Sequence, residues 1–551
     1  MMSKKQIRLW LWSASILAVF NILTKINDQS LTGIVVQLLL KTGINLIIIF
    51  ILILLYNIFY KKYFRKFKSK RITKSTYSSS RIMLIFFLLL VLFWIPAFLA
   101  LFPGTFGADA PIQLAMYDGI YPLSDHQPIL HTFLIGGLIH LGDVLFKNSN
   151  IGLAIYTFVF QICFCAYSIS YSLSYLYKRQ VSLKLLLLLI IFMGINPIVQ
   201  SLICYVTKDI MFAATFLLFI VNCCEYLFPS DRLRRNKRFL KITLIKIGLF
   251  GFLSIQLRSQ GIYIFIVALL ILLICWCRLF KENALYKEFI FMQIFVIGIS
   301  MLITMITPYF LNSGYRDSRE ALSVPIQQIA TILKKDLERD NKLLSSNIYD
   351  QAISYFENFD KDRIDQYSAD YPKSMFLTDK VKENPIGFLK LYIYLVFSDL
   401  PTSVNSYLDL ITPYFDFRLS PYNGLAINTS FEDLNPNRNI KTYSLFPGYY
   451  QYLKDVLYDS SSLNCPFWIR IFDPAIVLYL IIFMLIYSLI YKRTFSLFVL
   501  LYPILYIGTM FLGPVSLLRY SFVYSLEGPF LLGVMIYSIN NQRFKNRLPI
   551  K

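Results

Sequence analysis

The sequence predicts an all-α polytopic membrane protein with about twelve transmembrane helices. Apolar residues make up 56% of the 551-residue chain, and the mean hydropathy is +0.56, well above the values of soluble globular proteins. Apolar runs of about 18 or more residues recur along the chain, and each can cross a hydrocarbon layer of about 30 Å as a helix. Segments of alternating polarity are sparse, which argues against a membrane β-barrel.

Basic residues between the apolar runs set the predicted topology. The positive-inside rule places Lys/Arg clusters in the cytoplasm. These clusters lie at residues 61–81, 178–184, 229–241, 278–287, 492–493 and 540–551. The net charge of +22 is therefore explained by topology and does not require a nucleic-acid partner. We expect a multi-pass protein of a bacterial plasma membrane with both termini in the cytoplasm.

The predicted spans follow from this placement, because successive spans must alternate in direction between the cytoplasmic clusters. The first two return inward as a pair near 7–24 and 33–60, and 82–102 then leads to the outer face. Segment 129–146 is apolar but contains His131 and Asp143, which are costly at membrane depth, so we predict a helix lying on the outer surface. The remaining predicted spans are 151–177, 185–203, 209–228, 240–257, 261–280, 288–311, 469–491, 495–512 and 518–539.

Three domains are predicted from this pattern. Residues 1–311 form a transmembrane module with an outer catalytic loop at 103–150. Residues 312–468 form an α-rich extracytoplasmic domain, in which acidic residues outnumber basic ones. Residues 469–551 form a C-terminal transmembrane module and a cytoplasmic tail. Most cysteines lie in or near apolar runs without zinc-ligand spacing, which is typical of packing residues.

Polar residues collect at the predicted outer ends of the spans. All three histidines of the chain lie in the stretch 102–140, which reads "FPGTFGADAPIQLAMYDGIYPLSDHQPILHTFLIGGLIH". Cations follow three further outward spans, against the positive-inside pattern. The candidate residues are Asp109, Asp125, His126, His131, Lys208, Arg258 and Arg519. Taken singly, each cation could snorkel to a headgroup and each aspartate could cap a helix.

Taken together, these residues favour an outward-facing pocket for an anion such as a lipid-linked phosphate. Arginine binds two phosphate oxygens through its planar fork, and lysine supplies a point charge. Asp109 would act as a base toward a sugar or lipid hydroxyl, and His126 would contact phosphate or protonate the leaving group. A divalent cation held by Asp109 with Asp125 or a histidine is compatible with this loop, although no metal-ligand spacing singles it out. Glu527, inside the last span, is expected to face the bundle interior and find a cation.

The arrangement resembles the GT-C superfamily of polytopic glycosyltransferases, which commonly take a sugar from a polyprenyl-phosphate donor. The motifs "FPGTFGADAPIQL", "SDHQPILHT", "TKD", "LRSQGIY", "EALSVPIQQIAT" and "GPVSLLRY" are similar to those of an uncharacterised bacterial polytopic membrane family placed in that superfamily. The likeness covers most of residues 82–540.

The resemblance implies an inverting transfer from a polyprenyl-phosphate sugar to a glycan or lipid acceptor on the outer face. Asp109 matches the essential acid of the superfamily's first outer loop, and Lys208, Arg258 and Arg519 would hold the donor phosphate. His131 and Gln327 are further candidates for substrate binding. Two departures matter: Ala108–Asp109 stands where a paired acidic motif would support a metal, and a WWD-like motif for peptide acceptors is absent.

Two other classes of function remain open at this point. The first is a transporter or flippase for a lipid-linked anionic glycan precursor. Transporters often show repeated halves and broken helices at the bilayer midplane, whereas this sequence has no evident duplicated half. The second is a sensor or assembly protein with an external binding domain, which would leave the cations at the span ends unexplained.

Overall fold

The computed structural model describes residues 78–107, 109–124, 127–277, 284–311, 318–339, 344–415, 438, 440–459 and 469–540, with residues 8, 9, 12, 13 and 15. The two predicted spans near 7–24 and 33–60 lie largely outside the described residues. Asp125 and His126 lie outside them as well.

Helices dominate the described residues. They are α1 (Ser79–Ala100), α2 (Asp109–Tyr117), α3 (Ile129–Phe146), α4 (Ser149–Lys178), α5 (Leu183–Ile195), α6 (Pro197–Ile203), α7 (Lys208–Leu227), α8 (Asp231–Arg234), α9 (Lys237–Leu257), α10 (Gly261–Cys275), α11 (Ala284–Leu311), α12 (Ser323–Glu338), α13 (Ser346–Ile353), α14 (Asp370–Met375), α15 (Thr378–Glu383), α16 (Pro385–Ser398), α17 (Leu400–Ile411), α18 (Pro447–Asp459), α19 (Ala475–Ile490), α20 (Thr494–Met510) and α21 (Leu518–Asn540). Helix α4 contains a π-helical segment, Tyr156–Cys163. Short 3-10 turns lie at Ser318–Leu322, Lys361–Arg363, Thr412–Tyr414 and Ile469–Phe472. Two strands, β1 (Thr105–Phe106) and β2 (Tyr205–Val206), complete the elements.

Seven of these helices are long and apolar enough to cross a membrane: α1, α3, α4, α7, α9, α11 and α21. The number rises to eight if α5 and α6, which are bent by 64°, form one span. Helices α10, α16, α19 and α20 are apolar but shorter. The helical membrane-type fold is thus confirmed, and twelve spans stay a prediction. Helix α3 is long and apolar enough to cross a membrane, so its predicted position on the outer surface also stays a prediction.

The chain divides into two compact units. The larger unit contains residues 70–316, 424–507 and 519–551. The other, called here the 317–423 unit, contains residues 1–69, 317–423 and 508–518. Its core is built around α12, whose buried face includes Ile326, Ile329 and Leu333. The predicted extracytoplasmic segment 312–468 therefore contributes to both units.

In the larger unit, a short parallel pairing of β1 with β2 positions two helix N-termini. Thr105 pairs with Tyr205 and Phe106 with Val206. Because the pairing is parallel, both strands end at the same edge, and α2 and α7 begin there side by side. Gln161 in the π-helical segment supports β2, since its Nε2 donates to the carbonyl oxygens of Ile203 (2.9 Å) and Tyr205 (3.1 Å).

A segment from the C-terminal half of the larger unit lies along the start of this region. Arg438 donates through Nε (2.9 Å) and Nη2 (2.6 Å) to the two carboxylate oxygens of Asp118, and it also contacts Asp143 on α3. Ile440 packs in the same core as Phe106 of β1. The backbone N–H of Tyr443 donates to Phe102 O at 2.7 Å. We call Arg438 and residues 440–445 the strap. From outside the core, they contact the region of the chain that carries Asp109.

Candidate functional site

Asp109 begins α2 and is the centre of a charged cluster. Its Oδ2 accepts from Arg519 Nη1 at 2.8 Å and lies 3.8 Å from Lys208 Nζ. Its Oδ1 accepts from Gln127 Nε2 at 3.1 Å. The side chain is 20% exposed, so the carboxylate is sheltered and yet open to one side. Three residues separated widely in sequence thus converge on one carboxylate.

Lys208 and Asp209 come from the first turn of α7, directly after β2. Thr207 caps this helix, because its Oγ1 accepts from the Asp209 backbone N–H. The Lys208 ammonium donates to Gln127 Oε1 at 2.6 Å. Gln127 therefore joins Lys208 and Asp109 through the two ends of one amide. The sequence "TKD" encodes both the cap and the two charges.

Asp209 is the second carboxylate of the cluster and is 1% exposed. Its Oδ1 accepts from Arg258 Nη1 at 2.8 Å, and its Oδ2 lies 3.7 Å from Arg519 Nε. Arg519 consequently lies between the two aspartates. Buried charges persist in proteins when they are paired and hydrogen-bonded, as they are here.

Aromatic rings enclose the arginines. The Arg258 guanidinium lies 4.7 Å from the centroid of Tyr520 and 5.3 Å from that of Tyr506, and Arg258 Nη1 donates to the Tyr506 hydroxyl at 3.1 Å. The Arg519 guanidinium lies 5.2 Å from the Tyr520 centroid. Ring faces stabilise a guanidinium and exclude water from it. The arrangement holds both cations in place and strengthens their field.

The cluster carries an excess of positive charge. Among the described residues it contains the cations Lys208, Arg258 and Arg519 and the carboxylates Asp109 and Asp209, a net charge of +1. Both carboxylates lie in the first turn of a helix, where the unsatisfied N–H groups add further positive potential. An anionic group is the ligand that this balance favours.

A buried hydrogen-bonded chain runs from Asp109 into the core. Gln113 Nε2 lies 3.4 Å from Gln127 Oε1, Gln113 Oε1 lies 2.8 Å from His131 Nδ1, and His131 Nε2 lies 2.6 Å from the Tyr156 hydroxyl. An amide oxygen only accepts, so His131 Nδ1 must carry a hydrogen, and the Tyr156 hydroxyl then donates to the neutral Nε2. Every link donates in the direction of Asp109. Such chains strengthen each bond cooperatively.

Tyr205 adds a neutral hydroxyl beside the site. Its oxygen lies against Gly107, at a position where any larger side chain would clash. Burial raises the pKa of Tyr205 to about 12, with Arg519 opposing the shift and Asp109 adding to it. The phenol therefore keeps its proton at neutral pH and is a hydrogen-bond donor near the charged cluster.

The structure brings together four of the predicted site residues: Asp109, Lys208, Arg258 and Arg519. His131 joins them through the two glutamines, and both of its ring nitrogens are engaged, so its predicted contact with substrate stays a prediction. Gln327 lies in the 317–423 unit, where its Nε2 donates to Asp365 O at 2.7 Å. Asp125 and His126 are outside the described residues.

Sequence reasoning did not select several residues that complete the cluster: Asp209, Gln113, Gln127, Tyr156, Tyr506 and Tyr520. Asp209 had a signal, because it follows Lys208 in "TKD" and a first-turn aspartate next to a cation suggests a paired site. The glutamines and tyrosines had none, since uncharged polar residues are common and only the fold shows their neighbours.

The structure bears on two further expectations. Within the described part of the chain, no group of three or more His, Cys, Asp or Glu side chains could hold a metal ion, so the divalent cation stays an expectation that involves Asp125 and His126. Glu527 is buried in α21, as expected. Among the described residues, however, neither of its oxygens has a hydrogen-bond partner, and the expected cation is not seen there.

The fold and the cluster define a helical protein with apolar helices of membrane-spanning length and a buried, net-positive site at two helix N-termini. A family model matches residues 120–546, and the chain belongs to that family, described as "Family of unknown function (DUF6020)". The match includes Lys208, Asp209, Arg258 and Arg519 and begins after Asp109. No curated protein and no solved structure gives a significant match to the chain.

Proposed function

We propose that the protein is a membrane glycosyltransferase that transfers a sugar from a polyprenyl-phosphate-linked donor to a cell-envelope glycan or lipid acceptor on the outer face of the membrane. The observation that carries the proposal is the convergence of Lys208, Arg258 and Arg519 on Asp109 and Asp209. A carboxylate surrounded by phosphate-binding groups is what such a transfer requires.

The cations supply the donor site. Arg519 Nη1 and Lys208 Nζ both lie within 4 Å of Asp109 Oδ2, at 2.8 Å and 3.8 Å. A donor phosphate reaching these cations competes with Asp109 for them and offers the oxygen pair that a guanidinium binds best. Arg258, buried against Asp209, keeps the second carboxylate neutralised while this exchange takes place.

The carboxylate supplies the base. A carboxylate that is paired with cations is a weaker base than an unpaired one. Donor binding draws Arg519 and Lys208 toward the phosphate and so frees Asp109 to accept the proton of the acceptor hydroxyl. The bond between sugar C1 and the phosphate oxygen breaks as the bond between C1 and the acceptor oxygen forms. The phosphate leaves on its lipid carrier, stabilised by the same cations.

A second candidate is a transporter or flippase for a lipid-linked anionic glycan precursor, and one observation favours it. Helices α5 and α6 are bent by 64° at Asn196, whose side chain caps α6 by accepting from the backbone N–H groups of Ile198 and Val199. Broken helices next to a charged site are typical of transporters. In that case Asp109 would pair with Arg519 without taking part in chemistry.

The glycan profile of the cell surface separates the two candidates. Mass spectrometry would compare wild type, a deletion strain, and Asp109→Asn at matched expression. Asp379→Asn is the matched control, because its side chain is 85% exposed on α15. We expect deletion and Asp109→Asn to lose the same sugar while Asp379→Asn retains it. If deletion alters the profile and Asp109→Asn does not, the enzyme proposal fails and the transporter moves ahead.

A further inference from the structure

Helix α16 has one face in the core of the 317–423 unit and an opposite face that is apolar and exposed. Phe388, Leu391 and Leu395 are buried in the core. Five large side chains on the other side are about half exposed or more. They are Ile386 (67%), Leu389 (53%), Ile393 (47%), Tyr394 (53%) and Phe397 (72%). Their spacing of three and four residues forms one stripe along the helix, which we call the α16 stripe.

The ends of α16 are fixed, so the exposure of the stripe is built into the fold. Asn384 caps the N-terminus by accepting from the Gly387 N–H at 2.9 Å, and Pro385 occupies the first turn. Asp399 ends the helix and caps α17 by accepting from the Thr402 N–H at 3.2 Å. Lys335 of α12 binds Asp399 at 2.7 Å and ties this break to the core.

The dimensions of the helix indicate how it would meet a membrane. At 1.5 Å per residue, its 14 residues extend about 21 Å, which is less than the roughly 30 Å of a hydrocarbon core. With its inner face committed to the protein, the helix cannot be surrounded by lipid. A helix of this kind lies in the plane of the interface with its apolar face in the acyl chains.

A single charge distinguishes a lipid surface from a protein partner. Lys390 is exposed and falls within the α16 stripe, one turn from Ile386 and two turns from Phe397. In a dry protein interface this ammonium would be buried and would need a carboxylate partner. At a bilayer it can lay its stem along the apolar surface and place its charge among the lipid phosphates. Tyr394, apolar with a polar tip, also suits that boundary.

We propose that the α16 stripe lies in the interfacial layer of the bilayer and holds the 317–423 unit against the membrane surface, with Lys390 bound to lipid phosphate. The occupant of the stripe is lipid, and neither a second copy nor another protein covers it. The proposal is independent of the glycosyltransferase activity, because it follows from one face of one helix.

Photo-crosslinking in the full-length chain tests it. Benzoylphenylalanine is placed at Phe397 or Ile393 by stop-codon suppression, and the chain is reconstituted in nanodiscs of phosphatidylethanolamine and phosphatidylglycerol. The matched control carries the probe at Asp379, which is 85% exposed on α15. After irradiation, mass spectrometry measures lipid adducts, and gel mobility measures crosslinks between chains. We expect lipid adducts at 393 and 397 at least several times the level at 379.

Crosslinks to a second chain at 393 and 397, or lipid adducts no higher than at 379, would overturn the proposal. The charge is tested separately with Lys390→Glu in the probe-397 chain. In nanodiscs containing phosphatidylglycerol we expect this change to lower the lipid adducts by about fivefold, because a lysine near an anionic surface contributes on the order of that factor. In phosphatidylcholine alone the loss should be smaller. Equal loss in both lipids would overturn the role of Lys390.

Discussion

The hydrogen-bonded chain behind Asp109 makes a quantitative prediction about His131. The change is His131→Leu, which removes both ring nitrogens from a site that is 0% exposed. Two partners then remain without their bonds: Gln113 Oε1, which received Nδ1–H at 2.8 Å, and the Tyr156 hydroxyl, which lay 2.6 Å from Nε2. Gln113 is 1% exposed and Tyr156 is 0% exposed, so water cannot replace the lost partner.

The expected magnitude follows from counting these groups. Each buried polar group left without a partner costs about 1–3 kcal/mol. Two such groups give a loss of about 4 kcal/mol in the free energy of unfolding for His131→Leu. Tyr156→Phe leaves only His131 Nε2 unsatisfied and should cost about 2 kcal/mol. The double variant leaves only the Gln113 oxygen, so it should be more stable than His131→Leu alone.

The assay is unfolding by sodium dodecyl sulfate in phospholipid bicelles, followed by tryptophan fluorescence. His140→Leu is the matched control, since His140 is on the same helix and exposed, and it should change stability by less than about 0.5 kcal/mol. Nitrogen-15 NMR of labelled histidine provides an independent measurement, because the bond directions require hydrogen on Nδ1 of His131. A hydrogen on Nε2 of His131, or a double variant less stable than His131→Leu, would refute the donor directions assigned to these hydrogen bonds.

Three further predictions concern other charged groups. Arg258→Ala should lower the free energy of unfolding by about 3 kcal/mol, the low end for breaking a buried ion pair, because Asp209 is 1% exposed. Arg258→Lys should recover part of this loss in the same unfolding assay. Equal losses of stability in the two variants would contradict the ion-pair explanation. Burial raises the pKa of Asp409 to about 6 from 3.8, so the folded state favours the protonated form, and stability falls as pH rises from about 4 through 6. Asp409→Asn should raise the unfolding midpoint at pH 7.5 and leave it nearly unchanged at pH 4.5, and a gain equal at both pH values would contradict this origin. Arg438→Ala should speed protease cleavage near residue 440, because the strap loses its bidentate contact with Asp118, whereas unchanged cleavage would mean that the backbone contacts alone hold it.

The sequence was most informative about single helices. The predicted span 209–228 is helix Lys208–Leu227, and 518–539 is Leu518–Asn540, because long apolar runs between polar caps leave little choice of structure. The predicted span 185–203 is in fact two helices bent at Asn196. Its signal was visible in "NP", where a capping residue precedes a proline suited to the first turn of a new helix.

The sequence was enough to predict the charged residues of the candidate site, but it did not predict the strand pairing and hydrogen bonds that join them. Lys208, Arg258 and Arg519 stood out because each opposes the positive-inside pattern. The β1–β2 pairing that places Asp109 beside Lys208 is two residues long in each strand, too short to leave a periodic pattern. Gln127 and Tyr156 depend on neighbours that only tertiary structure supplies.

The distance in sequence between Asp109 and Arg519, 410 positions, has a consequence for biogenesis. Synthesis delivers the charges in order, and with Asp109, Lys208, Asp209 and Arg258 present the cluster is neutral. Only the insertion of α21 adds Arg519 and turns the cluster positive. Because chains fold from the N-terminus as they are made, a ribosome-bound intermediate carries the carboxylates without the cation that bridges them. The cluster therefore lacks its excess positive charge until α21 has been synthesised.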